Sequence, residues 1–149
     1  MHLTKFSDYA LRVLMLAAAR DGMRLTIEET ALTFGISQAH LKKVVLALSR
    51  AGYLTGIKGR TGGYVLARKP EDINLGAVLR VTETDFSMFE CNRDGAVCPI
   101  AGPCRLPMVA REAVKGFLGA FDKVTLRDVV LPNAAFPVPK GETVTIAGT

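Results

Sequence analysis

Apolar side chains recur at steps of three and four residues near the start of the chain, which gathers them on one face of a helix. The pattern predicts a helix from about Lys5 to Arg20, which Asp21 and Gly22 end because both residue types favour turns. The apolar face of this helix consists of Phe6, Ala10, Val13, Leu14 and Ala17.

Two more helices are predicted before residue 53. Thr26 and Glu29 have the spacing of a capping box at the start of the first, and Gly35 ends it. Ser37 caps the next helix, which continues to Gly52 and has an apolar stripe. The stripe is Leu41, Val44, Val45 and Leu48, with Ile36 placed to pack on Leu41 across the cap. A short helix, a tight turn with glycine and a longer helix form a helix-turn-helix pattern.

The stretch YLTGIKGRTGGYVLA then changes to the pattern of a β-hairpin. Two β-prone runs, Tyr53–Ile57 and Tyr64–Ala67, flank a glycine-rich tip that carries Lys58 and Arg60. A basic hairpin directly after a helix-turn-helix is the arrangement of a winged helix. The predicted fold is therefore mainly α, with a winged helix-turn-helix DNA-binding domain at residues 1–73 and its β-hairpin as the wing.

Beyond residue 73 the chain returns to helical patterns on both sides of a loop. Asn74 caps a short helix that reaches about Thr82, and TLRDVVL adds a last turn or two. From Arg105 a long helix carries an apolar stripe of Leu106, Val109, Ala110, Ala113, Phe117, Leu118 and Phe121. The stripe either folds back on the first domain or packs on a second copy. Because twofold readers of DNA need two half-sites, a dimerisation helix is favoured. Residues 74–130 would then hold the loop and this helix, and residues 131–149, with three prolines, a flexible tail.

Charge is distributed unevenly along the chain. Residues 1–70 carry 11 Lys and Arg against 4 Asp and Glu, whereas residues 71–149 carry 8 against 10. Between Glu29 and Glu71 there are seven basic residues and no acidic one. A basic block on a patterned, compact segment indicates binding to an anionic polymer, and a winged helix makes that polymer double-stranded DNA. The candidate contacts are Ser37, Gln38, His40 and Lys42 for base edges, Lys43 and Arg50 for phosphates, and Lys58 and Arg60 for the minor groove.

The three cysteines of the chain, Cys91, Cys98 and Cys104, all lie within the segment CNRDGAVCPIAGPC. Their spacing lacks the tight pair of a structural zinc site and the Cys-x-x-Cys of a thioredoxin-like site. Wider spacing on a loop suits an iron–sulfur cluster, whose ligands come from several sides. Three thiolates leave one iron free for an unusual ligand or a small molecule. The alternative is three small, partly buried residues without a role.

The chain is expected to be cytoplasmic and to have no membrane partner. No stretch approaches the ~20 apolar residues of a membrane span. The first apolar run carries Lys5, Asp8 and Arg12 at helical spacing, which differs from the order of a secretory signal. In the cytoplasm thiols stay reduced, so clustered cysteines favour metal or redox chemistry over cross-linking.

Three stretches together resemble a known family. LTKFSDYALRVL, LSRAGYLTGIKGRTGGYVLAR and the three-cysteine loop followed by CRL and a long helix are similar to the NsrR nitric-oxide-sensing repressors, over about residues 1–130. These belong to a wider group of bacterial winged-helix iron–sulfur regulators that includes IscR. The resemblance implies a homodimer with one cluster per subunit, which releases its operator DNA when the cluster reacts with nitric oxide.

The resemblance also implies the fourth ligand. In the nitric-oxide branch, three cysteines of one subunit and an aspartate on the first helix of the other hold a 4Fe–4S cluster, and Asp8 occupies that place here. The other branch uses a histidine three residues after the last cysteine, where this chain has Pro107, which cannot ligate. The implied ligands are Cys91, Cys98, Cys104 and the partner's Asp8, with a 2Fe–2S cluster as the alternative cofactor. The alternative is that Asp8 lies in the first turn only because a negative charge there interacts favourably with the helix dipole.

The sequence lacks the marks of several other classes of function. An enzyme would need a nucleophile–base set, a dinucleotide fingerprint or a P-loop, and the sequence contains none of them. An electron carrier would show the cysteine runs of ferredoxins, and this sequence lacks them. A regulator of the same fold could instead respond to iron or cluster supply, oxidants or zinc. The sequence therefore predicts a repressor that is not an enzyme.

Overall fold

The computed structural model describes residues 2–137, which form six α-helices and a two-stranded hairpin. The elements are α1 (Lys5–Ala19), α2 (Ile27–Phe34), α3 (Gln38–Arg50), β1 (Leu54–Ile57), β2 (Gly63–Leu66), α4 (Leu75–Thr82), α5 (Leu106–Phe121) and α6 (Leu126–Val129). A short helix, a turn, a longer helix and a hairpin follow each other in that order. The predicted mainly helical, winged-helix fold is confirmed.

The helices begin and end where local side-chain chemistry requires it. Thr26 and Glu29 make both hydrogen bonds of the capping box at α2, and Gly35 ends that helix in the left-handed conformation, with φ of 65°. The Ser37 hydroxyl accepts from the His40 amide at 3.3 Å and so caps α3. Asn74 caps α4 by accepting from the Ala77 amide at 2.9 Å. These caps fix where α2, α3 and α4 begin and where α2 ends.

The wing is fixed to the segment between α1 and α2, a connection that the sequence pattern did not predict. β1 pairs antiparallel with β2, and the outer edge of β2 meets Leu25. The Tyr64 amide donates to the Leu25 carbonyl at 2.8 Å, and the Leu25 amide donates to the Tyr64 carbonyl at 3.0 Å. Gly63 allows this approach, because a Cβ atom there would lie 2.3 Å from the Leu25 carbonyl oxygen. The tip-proximal end of β2 is therefore held by β1 on one side and by Leu25 on the other.

One hydrophobic core runs through both regions that the sequence analysis had divided at residue 73. The fully buried Leu14 of α1 and Leu41 of α3 share it with Val78 of α4 and Leu126 of α6. Helix α1 packs against α3, β2, α4 and α6, so its apolar face is covered by elements from both sides of residue 73. Packing is thus continuous across that position, with α1 at the centre.

Several details differ from the sequence patterns. Val45, assigned to the buried stripe of α3, is only half-buried. Residues 131–137, the first part of the proposed tail, turn back toward α2, where the Phe136 ring meets the Phe34 ring at 6.1 Å between centroids. The rest of that tail lies outside the described residues. Within residues 2–137, no helix has the length and apolar character that crossing a membrane would require.

Candidate nucleic-acid interface and cysteine loop

The recognition helix α3 has a buried face and an exposed basic face. Leu41, Val44 and Leu48 are buried in the core. All eight side chains proposed to contact DNA are exposed: Ser37, Gln38, His40, Lys42, Lys43 and Arg50 on or next to α3, and Lys58 and Arg60 at the tip of the wing. The structure thus brings one set to the helix surface and the other to the hairpin tip.

The basic side chains on this surface have no carboxylate partners within the described part of the chain. The ion pairs there are Arg12–Asp8, Arg80–Asp122 and Arg93–Asp85, and none involves α3 or the wing. Unpaired Lys and Arg side chains can neutralise phosphates without first breaking an internal pair, and they supply most of the affinity of DNA-binding proteins. The surface suits a polyanion electrostatically.

His40 is held in place at the start of the recognition helix. Its Nδ1 lies 3.3 Å from the Ser37 hydroxyl, and its ring meets the edge of the Tyr9 ring at 6.1 Å between centroids. The Ser37 oxygen is therefore engaged by the helix cap and by His40, whereas the exposed Gln38 and Lys42 beside them have no such contacts in the described part of the chain. Tyr9 comes from α1, so the helix that carries Asp8 touches the recognition helix at this point.

The three cysteines lie on the long loop between α4 and α5. Cys91 is in a short 3-10 turn at Glu90–Asn92, and all three thiols are free and partly exposed. The loop residues 84–105 contribute no side chain to the buried hydrophobic core of the described chain. In residues 2–137 of this single chain, no three His, Cys, Asp or Glu side chains are gathered closely enough to hold a metal ion. The structure therefore places the cysteines on one loop without bringing their thiols together.

The donor set on this loop fits an iron–sulfur cluster. Cysteine thiolates are the ligands that such clusters use, and three are available with no disulfide between them. A loop without core side chains is free to rearrange around a cluster at little cost to the fold. The three cysteines are therefore compatible with the cofactor, although residues 2–137 of the single chain do not gather them into one site.

Asp8 lies on the exposed side of α1, in its first turn. Its carboxylate forms a bidentate pair with Arg12, with Oδ1 3.0 Å from Nε and Oδ2 3.0 Å from a terminal nitrogen. The Asp8 side chain is 45% exposed. Exposed pairs four residues apart on a helix are worth only about 0.3–0.5 kcal/mol. The carboxylate is therefore accessible from outside the chain and only weakly restrained.

The apolar stripe of α5 divides into two edges. Ala110 is buried, and Phe121 packs against the core, so one edge faces the rest of the chain. On the other edge Leu106 and Val109 are 53% and 57% exposed. Neighbouring large apolar side chains exposed on one edge of a surface helix mark that edge as a candidate contact face for another molecule.

Sequence reasoning missed several side chains that shape these surfaces. Tyr9 positions His40, and Arg24 supports the wing by donating to the Gly62 carbonyl at 3.3 Å. Glu83, directly after α4 and before the cysteine loop, is buried and accepts hydrogen bonds from Thr4 and Ser7. Their partners are distant in sequence, so no local spacing could have revealed these roles.

Comparisons with known proteins agree with this geometry. A family model described as "Rrf2: Iron-dependent Transcriptional regulator" matches residues 3–132. The HTH-type transcriptional regulator NsrR of Bacillus subtilis (strain 168) is 46% identical over 132 residues, which cover 87% of this chain and 90% of that protein. The protein of the same name from Geobacillus kaustophilus (strain HTA426) is 41% identical over 137 residues, which cover 91% of this chain and 93% of that protein.

Solved structures share the fold. CymR, the global cysteine regulator of B. subtilis, superposes with a TM-score of 0.68 at 26% identity and covers 86% of this chain and 95% of its own. T. potens IscR gives a TM-score of 0.67 at 24% identity, over 86% of this chain and 85% of its own. The similar proteins are named as regulators rather than as enzymes. With the family model matching most of its length, the chain belongs to the Rrf2 family and is a transcriptional regulator.

Proposed function

We propose that this regulator is a dimeric repressor that senses nitric oxide through an iron–sulfur cluster and releases its operator when the cluster reacts. The observation that carries the proposal is the confinement of all three free thiols to one loop of a winged-helix chain. The ligands would be Cys91, Cys98 and Cys104 of one subunit and the partner's Asp8. The relatives named NsrR support this input over others.

A second copy of the chain accounts for the two incomplete surfaces. The outer edge of α5, with Leu106 and Val109, offers an apolar face for a twofold contact. A pair of recognition helices is needed to read two half-sites that lie about 34 Å apart. Within residues 2–137 no group of His, Cys, Asp or Glu side chains completes a metal site around the thiols, and a second chain would supply the fourth ligand. One dimer would therefore complete both the DNA-reading surface and the cluster site.

Asp8 has the properties expected of an exchangeable ligand. A carboxylate is a harder donor than a thiolate and binds cluster iron less strongly. When bound, the cluster would supply iron that reacts with nitric oxide. Asp8 lies on the helix that also carries Tyr9, which touches His40 of α3. A change in what holds Asp8 would therefore reach the recognition helix through one shared element, and a small rotation would spoil the half-site spacing.

Mixed dimers test the proposed ligand set. One subunit carries Asp8→Ala, and the other carries all three substitutions Cys91→Ala, Cys98→Ala and Cys104→Ala. If Asp8 ligates across the dimer, the single cluster sits on the cysteine-bearing chain and takes its aspartate from the other. Its anaerobic absorption and circular dichroism spectra should then match those of the wild type. Each single cysteine variant, as a homodimer, should lose the cluster.

Arg12→Ala is the matched control, because it breaks the ion pair with Asp8 and leaves the carboxylate in place. Its cluster spectrum should match the wild type, whereas that of the Asp8→Ala homodimer should shift. A mixed dimer whose spectrum matches the Asp8→Ala homodimer would show that the carboxylate acts within its own chain or has no part in the site. A colourless protein that contains zinc after anaerobic purification would contradict the cluster itself.

A regulator of the same fold with a different input is the second candidate. The structure of CymR, named as a cysteine regulator, shows that this fold is compatible with another signal. Operator binding measured before and after addition of nitric oxide, hydrogen peroxide or an iron chelator separates these inputs. In our proposal nitric oxide releases the DNA at the lowest ratio of reagent to cluster. Because its proposed target is operator DNA, the protein would work in the cytoplasm.

A further inference from the structure

A buried carboxylate joins the start of the cysteine loop to the first turn of α1. Glu83 follows directly after α4 and is 9% exposed, and it is the charged residue among the buried polar side chains of residues 2–137. One of its oxygens accepts from the Thr4 amide at 3.0 Å, from the Thr4 hydroxyl at 3.0 Å and from the Ser7 hydroxyl at 2.7 Å. Few buried carboxylates are retained without partners of this kind, because desolvation disfavours the charge.

The position of this carboxylate has a physical reason. The first turn of a helix has amide groups without partners inside the helix, and the dipole there favours negative charge. Thr4 is the N-cap of α1, and Ser7 is fully buried beside it. Hydrogen bonds to an ionised acceptor are about twice as strong as neutral ones. The contact thus fixes where α1 begins relative to the end of α4.

We infer that Glu83 is a positioning residue that couples the cysteine loop to the helix that carries Asp8. The loop begins at the residue after Glu83, and Asp8 is the residue after Ser7 on α1. Between them stands one carboxylate with three hydrogen bonds. A shift of the loop therefore moves the first turn of α1, and with it Tyr9, which touches His40 of the recognition helix. The inference rests on the proposed function, since it concerns how the same loop acts on DNA binding.

The coupling has a consequence for the dimer. In the proposed ligand set, the cysteine loop of one subunit holds its own cluster, while α1 of that subunit serves the cluster of the other. Glu83 links these two parts of one chain. Each cluster would therefore be joined to the other through two Glu83 contacts, and reaction of one would weaken the ligand set of the second.

Glu83→Gln tests the role, because glutamine keeps the shape and an acceptor oxygen but removes the charge. Hydrogen exchange of the amides of residues 4–8, measured in the cluster-free protein, should accelerate roughly tenfold. In the cluster-loaded dimer, the ratio of operator affinities before and after nitric oxide should shrink by roughly the same factor. Glu90→Gln is the control, because that carboxylate lies in the same loop and is exposed. It should leave both values unchanged.

The outcomes separate the inference from the proposal on which it rests. Faster exchange with an unchanged affinity ratio would make Glu83 a cap of α1 only and would overturn the inference, as would no change in either value. A wild-type ratio of one would instead overturn the proposed function, and the inference with it. If Glu83→Gln does not fold, Ser7→Ala removes a single donor to the carboxylate and should shift both values in the same direction by a smaller factor.

Discussion

Tyr64 is a buried side chain whose ionisation would weaken the fold at high pH. Its ring is 1% exposed, and its hydroxyl lies 2.6 Å from the Thr30 hydroxyl of α2. Burial raises the pKa of Tyr64 to about 12, because the phenolate would lose its hydration, and the bond to Thr30 offsets only part of this effect. The contact between Tyr64 and Thr30 joins β2 to α2, so ionisation of the phenol would weaken the packing of the wing against the helix-turn-helix.

Tyr64→Phe should remove part of the loss of stability at high pH. The unfolded chain gives up the phenolic proton near the ordinary pKa of about 10, whereas the native chain keeps it to about 12, so unfolding becomes easier as pH rises between them. From about pH 9 to pH 11 the wild type should lose roughly 1.4 kcal/mol more stability than the variant. Urea unfolding at the two pH values measures the difference, and parallel losses in both proteins would contradict it.

At the scale of elements, the wing depends on the close approach of two backbones at Gly63. The neighbouring Leu25 carbonyl is a backbone atom with its own hydrogen bond to β2, so it has little freedom to move aside. Gly56, in β1, is different, because a Cβ atom there would meet nothing within 4 Å. The two glycines of one hairpin thus provide a matched pair of sites.

Gly63→Ala should destabilise the protein by about 1–3 kcal/mol, the usual cost of overpacking a close contact. Operator affinity should fall as well, since the wing would separate from the segment that positions it. Gly56→Ala should change neither value beyond about 0.5 kcal/mol. Chemical denaturation and DNA binding measured on both variants give the comparison. Equal stabilities for the two variants would show that the Leu25 segment adapts to the extra methyl group.

The basic side chains at the tip of the wing should contribute to the salt dependence of operator binding. Lys58→Ala and Arg60→Ala should each weaken operator binding and reduce the slope of log affinity against log salt by about 0.9, the value for one phosphate contact on duplex DNA. Lys123→Ala removes an exposed charge after α5, away from the proposed interface, and should leave the slope unchanged. Fluorescence anisotropy across a salt series measures this slope. A wild-type slope in both wing variants would exclude the hairpin tip from the interface.

Much of the fold could be predicted because it depends on the spacing of residues that are close together in sequence. Thr26 with Glu29, Ser37 and Asn74 mark helix starts through bonds to residues three positions away, and each of these bonds is present. Two contacts join residues far apart in sequence, the bridge of Leu25 with Tyr64 and the hydrogen bond of Thr4 to Glu83. A periodic sequence pattern cannot predict contacts of this kind. For the same reason the spacing of the cysteines indicates a donor set but does not reveal how the thiols are arranged.

At the scale of the whole molecule, association through α5 is the proposal with the widest consequences. Leu106→Asp and Val109→Asp place a charge on the exposed edge of the helix, where the single chain has room for it. If a second copy covers this edge, each charge becomes buried without a partner, at a cost of about 3 kcal/mol or more, which is roughly a hundredfold in dimer affinity.

Analytical ultracentrifugation should therefore find dimers for the wild type and mostly monomers for these variants, with unchanged helix content by circular dichroism. Lys115→Asp alters the charge of an exposed residue on the polar side of α5 and should remain dimeric. Variants that stay dimeric would place the interface elsewhere on the chain, and a wild-type monomer would remove the basis for a ligand from a second subunit.

The continuous core also determines how such a regulator can be taken apart and recombined. A chimera joined at residue 73 would strip Val78 and Leu126 from α1 and expose an apolar face that the new partner was not shaped to cover. The loop at residues 84–105 offers a different seam, because none of its side chains is part of that core. Grafting a foreign loop there would remove no side chain from the buried hydrophobic core. Under the proposed function, exchange of this one loop would change the signal, whereas separating the winged helix from the helices after residue 73 would divide the core.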